Sequence, residues 1–211
     1  MTRQLVAAIL VLLSAAPLSH AQEHMFRTWF EAPESVMAGE TFQVWMWATY
    51  EIDGQTVPGY PGYFWTTHAS TEVTGPLDAL KSISPVLDGL YLPDPGTPDG
   101  NWLRDFIVFQ VESPGFHVDY GNPLRHLMFE ITTVPGALGQ LELHLRAPSD
   151  LDVPFLSWLG DHEVATTSYG SSVPDFFAGL QAESFTVRVI PAPASLALLM
   201  CAWLPLIRRQ R

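Results

Sequence analysis

The stretch from Thr41 to Ile52 constrains the fold more than any other part of the chain. Phe42, Val44, Met46 and Ala48 alternate with Thr41, Gln43, Trp45, Trp47 and Thr49. Side chains on a strand alternate between faces, so this spacing describes a strand with one apolar face to bury. Asp53-Gly54 follows as a hairpin turn signal, and Gly62 to His68 reads as the returning partner. A half-apolar strand needs a second layer to cover it. The rest of the chain repeats the pattern. Strands are expected at Phe26–Phe30, Trp102–Val111, Phe116–Tyr120, Leu127–Thr133 and Leu141–Arg146, with shorter ones at Phe155–Leu159 and Glu163–Thr167. Glu183–Val189 closes the series, with Phe185, Val187 and Val189 facing one way. Fourteen of the 18 prolines and all 15 glycines fall within residues 22–189, most of them between these runs as turn formers. Pro76–Ile83 reads as one short helix, with Leu77, Leu80 and Ile83 on one side. Tyr91–Asn101, rich in Pro, Asp and Gly, reads as a loop. About nine strands separated by turns predict an all-β fold, an antiparallel β-sandwich spanning residues 22–189.

The two ends carry a different signal. Arg3, the apolar run Leu5–Leu13 and Ser19-His20-Ala21 have the layout of a secretory signal peptide over residues 1–21, cut by signal peptidase after Ala21. At the other end, Ile190 to Ile207 carries no charge and Arg208, Arg209 and Arg211 follow. As a helix the run would span about 27 Å at about 1.5 Å per residue, close to the hydrocarbon core of a bilayer. The arginines would stay on the cytoplasmic side and leave the preceding domain outside.

Residues 190–211 resemble a PEP-CTERM sorting signal. Pro191-Ala192-Pro193-Ala194-Ser195, the apolar transmembrane run and the arginine cluster follow that order, in a Pro-Ala-Pro variant whose Ala192 stands where the family has Glu. The resemblance implies processing by an exosortase. It implies an exported bacterial protein, delivered by Sec and anchored briefly in the inner membrane. It would then be released to the cell envelope, the surface or the extracellular matrix, in a structural or adhesive role. A plain single-pass anchor shares the run and the arginines and remains the alternative. Gly39-Glu40-Thr41-Phe42-Gln43-Val44 and Gly136-Ala137-Leu138-Gly139-Gln140-Leu141-Glu142-Leu143 resemble the cohesin-type sandwiches that often precede such tails; the fold expected is accordingly cohesin-like or jelly-roll.

Charge narrows the partners. All 22 acidic residues lie between the two ends, against six basic ones, Arg27, Lys81, Arg104, Arg125, Arg146 and Arg188. Such a surface repels nucleic acid and anionic lipid. The single cysteine, Cys201, lies in the tail, so the exported domain is held by its core and not by a disulfide.

No nucleophile elbow, zinc-protease motif, phosphate loop or Cys/His cluster occurs, and no catalytic residue is assigned. The chain is therefore read as a non-enzyme, with a hydrolase of unseen site as a distant alternative. His117 and Asp119 would share a strand face, with His126 and His144 joining them only under a suitable pairing. A scatter of surface histidines is the expectation for all of them. Asp94, Asp99, Asn101 and Asp105 surround a Gly/Pro loop, and hard cations such as calcium take oxygen ligands from loops of this kind. An acidic surface loop accounts for them without a metal. No other cofactor is indicated. Trp45 and Trp47 share a face, and if Phe42, Val44 and Met46 point inward both indoles point outward. Tyr60, Tyr63 and Trp65 would extend that surface. Exposed paired aromatics stack on sugar rings or mark an interface. A carbohydrate-binding module that takes exopolysaccharide is thus the alternative molecular role; against it stands the plainer reading that the tryptophans are covered, by burial of the strand on both faces or by a loop.

Overall fold

The computed structural model describes residues 22–58, 64–83, 90–110, 121–159, 164–167 and 176–192. Residues 1–21, read above as a signal peptide, residues 193–211 of the expected sorting tail, Tyr60, Tyr63 and the strand expected at Phe116–Tyr120, with His117 and Asp119, lie outside them. The first strands are β1 (His24–Glu31), β2 (Ser35–Met37), β3 (Thr41–Ile52), β4 (Gln55–Thr56), β5 (Phe64–Thr74) and β6 (Leu77–Ile83). Next come β7 (Leu90–Asp94), β8 (Thr97–Asp99), β9 (Trp102–Gln110), β10 (Leu124–Thr133) and β11 (Gly139–Arg146). The series ends with β12 (Phe155–Leu159), β13 (Val164–Thr166), β14 (Phe176–Phe177), β15 (Gly179–Ala182) and β16 (Phe185–Ile190). No helix occurs among the described residues, and so none there is long and apolar enough to cross a membrane.

The strands form two sheets. The first has the order β15-β1-β3-β10-β6, with β4 added to β3. The second runs β14-β13-β12-β5-β11-β16-β2, and β9, which carries β7 and β8, also pairs β5. The long β5 takes β12 on its first half and β11 on its second, while β9 runs along both. Most pairs are antiparallel; β1 with β15, β13 with β14 and β16 with β2 are parallel.

The inward faces meet in two packed clusters. The larger joins Phe30, Val44, Met46, Phe129 and Ile131 of the first sheet to Val73, Leu103, Leu141, Leu143 and Val187 of the second. The smaller is aromatic, with Phe26 and Tyr50 against Trp65, Leu156 and Trp158. Each such side chain, fully buried, contributes about 1.5–3 kcal/mol of transfer free energy, so the sandwich needs no disulfide. β3 behaves as its alternation requires: Phe42, Val44, Met46, Ala48 and Tyr50 are buried and Trp45 and Trp47 lie on the other face.

Four expectations are corrected. Asp53 and Gly54 do turn the chain back, with φ of 51° and 73° that suit a tight hairpin. The returning strand, however, is only β4, and β5 lies in the other sheet. Both long edges of β3 are already taken by β1 and β10, so the chain must leave. Pro76–Ile83 is no helix. It holds β6, which satisfies the open backbone edge of β10 over Met128–Thr133; seven residues gain little from a helix of their own. Gly75 delivers it, at φ 111° and so close to Gln140 that a Cβ would lie 2.1 Å from that carbonyl oxygen. Tyr91–Asn101 is not one loop, since turns at Gly96 and Gly100 fold β7 and β8 onto β9. Finally the described residues hold sixteen strands, not about nine, because many edge pieces are two to five residues long.

β10 carries the most consequential irregularity. Its register against β3 shifts between Arg125 and Leu127, so His126 is an extra residue. It turns inward, fully buried, nearly perpendicular to the Trp65 ring with centroids 5.1 Å apart, and it shares a hydrogen bond of 2.6 Å between Nδ1 and Thr67 Oγ1. The expectation of surface histidines therefore fails here. Just before β10, Asn122 acts as a short piece of strand. Its Nδ2 donates to Tyr50 O at 2.9 Å and Val57 O at 2.5 Å, and its Oδ1 accepts from Tyr50 N–H at 3.1 Å and Thr49 Oγ1 at 2.8 Å.

Burial pushes the His126 pKa down to about 3 from an ordinary 6.5. The folded state thus holds His126 neutral where the unfolded chain would bind a proton. The stability it protects is complete above about pH 6.5 and drains away as pH falls toward 3. Between pH 7.5 and pH 5 the loss is about 2 kcal/mol. Urea unfolding at the two pH values should show this drop, and His126→Gln should flatten it; an equal drop in the variant would contradict the assignment.

Candidate functional site: a tryptophan face on the first sheet

The outward face of β1, β3 and β10 is built in rungs by strand register. Trp29 of β1 lies opposite Trp47 of β3, and Arg125 of β10 lies opposite Trp47 on its other side. In the next rung Glu31 and Met128 flank Trp45. The bulge at His126 makes this possible. It changes the parity of β10, so that Arg125 and Met128, three residues apart, both reach the outer face.

The rings and charges interlock. Trp29 and Trp47 are parallel, their planes 2° apart and their centroids 6.0 Å apart. The Arg125 guanidinium carbon sits 4.8 Å from the Trp45 centroid and 4.8 Å from that of Trp47. Its Nε has no hydrogen-bond partner among the described residues, so the ring faces hold the guanidinium, each for about 0.5–1 kcal/mol. Glu31 closes the group. Its Oε2 accepts from Trp47 Nε1 at 2.6 Å and lies 3.9 Å from Arg125 Nη2. Trp45, Trp47 and Trp29 are each half-buried.

A depression of about 430 Å³ opens beside Trp29. Trp29, Trp47, Phe30, Pro123 and Phe185 supply its apolar wall, and Glu31 and Glu34 its charged groups. Chain crossing creates it. β15 pairs with β1 only over Met25–Thr28, Glu183 N–H still reaches Thr28 O at 2.8 Å, and then the chain leaves for β16 in the other sheet. The surface beside Trp29 is left uncovered. Such an apolar concavity with a few polar groups is suited to a ligand or partner.

The other residues singled out from sequence separate. Trp65 does not extend this face: it is 2% exposed and packs in the aromatic core, because β5 belongs to the opposite sheet. His126 is buried on β10, and His144 lies on the outer face of β11 with Nε2 3.5 Å from Glu142, so the two cannot share a site. The acidic loop residues have separate tasks. Asp94 accepts from Gly96 N–H, and Asp99 pairs with Arg104 at 3.1 Å. Asn101 O accepts from Val73 N–H at 2.8 Å. Asp105 lies at a bulge with φ 55° and is bound by Ser149 N–H at 2.6 Å, Ser149 Oγ at 2.8 Å and Ser70. Desolvation raises the Asp105 pKa, but the Ser149 and Ser70 hydrogen bonds and nearby His68 outweigh it and hold the carboxyl below its ordinary value. Among the described residues no three His, Cys, Asp or Glu side chains are grouped to hold a metal ion. Of the five residues expected to form a sorting motif, Pro191 and Ala192 are described, both half-buried where the chain leaves β16.

Trp29, Arg125 and Glu31 were not singled out from the sequence. Trp29 stands in the alternation of β1, on the face opposite Phe26 and Phe30, which is a signal in hindsight. Nothing in the sequence shows that β1 and β10 flank β3 in the required register.

Fold and face together define a β-sandwich with an aromatic, cation-filled outer surface. No protein-family model matches the chain, and no curated protein matches it. Solved structures similar to it include the seventh ScaB type I cohesin from Pseudobacteroides cellulosolvens, at 9% identity and a TM-score of 0.49, covering 80% of this chain and 94% of that one. Another is an uncharacterized protein from Nocardia farcinica with an immunoglobulin-like fold, at 12% identity and a TM-score of 0.34, covering 77% and 99%.

Proposed function

We propose that this chain is an exported structural or adhesive protein of the bacterial envelope or extracellular matrix, and that it makes contact through the tryptophan face. The observation that carries this reading is the Trp29, Trp47, Arg125 and Trp45 array, which keeps large rings outside a sandwich whose core is already filled. Burying such rings in the second sheet would contribute more to stability, so their outward placement is best explained by something that covers them. Exopolysaccharide is the ligand we assign. Sugar rings stack on indole faces, and the Glu31 and Glu34 carboxylates accept from hydroxyl groups. The acidic surface keeps the domain soluble and disfavours nucleic acid and anionic lipid as partners.

The two ends supply delivery. Residues 1–21 direct export by Sec, the run Ala194–Ile207 holds the chain in the inner membrane, and an exosortase cuts near Pro191-Ala192-Pro193. The proline-fixed, extended shape of that segment is what a processing enzyme would read.

Two measurements test this. Co-sedimentation with the producing cells' exopolysaccharide should be lost in Trp29→Ala/Trp47→Ala while the circular dichroism spectrum is unchanged; full retention of binding would contradict the assigned ligand. In cells containing an exosortase, Pro191→Ala/Pro193→Ala should leave membrane insertion intact and block release. A mature protein that still carries Trp203 in the unmodified chain would leave only a membrane anchor.

A further inference from the structure

The end of the sandwich from which the tail departs is apolar and open. Ile190, the last residue of β16, is 38% exposed and pairs with Met37 of β2, itself 40% exposed. Leu138 is 59% exposed and precedes Gly139, which pairs with Val189. Hydrogen bonds tie these segments into one surface. Ala38 N–H donates to Ile190 O at 2.9 Å, Gly39 N–H donates to Thr133 Oγ1 at 2.8 Å, and Thr133 Oγ1 donates to Met37 O at 3.0 Å. Across Val36–Glu40 and Val134–Gly139 the one charge is Glu40. Its carboxylate is turned back to accept from Met37 N–H at 2.7 Å.

Sequence places the apolar run immediately beyond this end. Between Ile190 and Ala194 stand three residues, which even fully extended reach about 10 Å. The rest of the exported domain is strongly acidic and repelled by an anionic membrane surface. This end joins exposed apolar side chains to a near absence of charge, and it is the end that the apolar run leaves.

We propose that, while the tail is in the membrane, Met37, Leu138 and Ile190 rest in the headgroup zone of the bilayer, so that a lipid surface covers this end of the sandwich. Apolar side chains on a protein surface gain by entering that boundary layer. The contact would hold Pro191-Ala192-Pro193 at the membrane surface and stand the strands away from it, with the tryptophan face free to meet its ligand. The proposal rests on the membrane reading of the tail given above.

The test uses the full precursor with Cys201→Ser, in phosphatidylcholine vesicles that carry a nitroxide at headgroup depth. An environment-sensitive dye is placed at Leu138→Cys or, as a control, at Phe177→Cys. Phe177 is 51% exposed on the edge strand β14, beside the aromatic cluster. Dye at position 138 should be quenched several-fold more than dye at 177, and Met37→Glu/Ile190→Glu should abolish the difference without releasing the chain from the vesicles. Equal quenching at both positions in a chain that resists carbonate extraction overturns the proposal and leaves the tail reading intact. A chain that carbonate extracts overturns both, and extraction tells the two failures apart. Cross-linking between copies through position 138, with no quenching by the nitroxide, would assign this end to a second copy and not to lipid.

Discussion

The structure depends on the placement of β3 between β1 and β10, with all its inward residues buried. Twelve residues long and paired on both edges, it is the strand around which the first sheet is ordered. Its alternation fixes what each neighbour must do. Phe42, Val44, Met46 and Ala48 require a second sheet above them, and Trp45 and Trp47 are thereby forced outward. A slip of one residue would bury Gln43 and Thr41 and expose Phe42, which makes the register strongly specified. Occupied edges also explain why Asp53-Gly54 leads only to a two-residue return before the chain crosses to the other sheet.

Two local departures from regular pairing build the outer face. The bulge at His126 brings Arg125 and Met128 to the same surface, and it places an imidazole in the core. The switch of the chain from β15 to β16 uncovers the side of Trp29 and leaves the depression beside it. Neither departure is favourable for the sheet alone, since each interrupts a ladder. Cation–π contacts to Arg125 offset part of that cost, at about 0.5–1 kcal/mol per ring. Bulges are frequent at sheet edges and next to active sites because they re-aim side chains.

Much of the fold was legible in the sequence, and its legible parts share a cause. β3 and β12 begin and end where the alternation and turns put them, and β16 buries Val187 and Val189 as its period requires. Period-two patterning reports local burial, and burial dominates in strands. β6 was hidden because Leu77, Leu80 and Ile83 also fit a helix; only the open edge of β10, a distant partner, decides between them. β7 and β8 were hidden because their residues are those of a loop, and pairing to β9 comes from turns at Gly96 and Gly100. The site was half legible. Trp45 and Trp47 face outward for a reason internal to β3. Trp29, Glu31 and Arg125 join them only through register between strands far apart in the chain, and Trp65 was misplaced for the same reason, since which sheet a strand joins is not a local property.

The most direct test of this account is amide hydrogen exchange along β3. A strand bonded on both edges and buried on one face opens only with most of the sandwich. Amides from Val44 to Ala48 should therefore exchange most slowly, at a rate set by global unfolding, while those of the short edge strands β2 and β14 exchange far faster. Exchange in β3 as fast as in those edge strands would contradict its central place, and with it the face that Trp45 and Trp47 present.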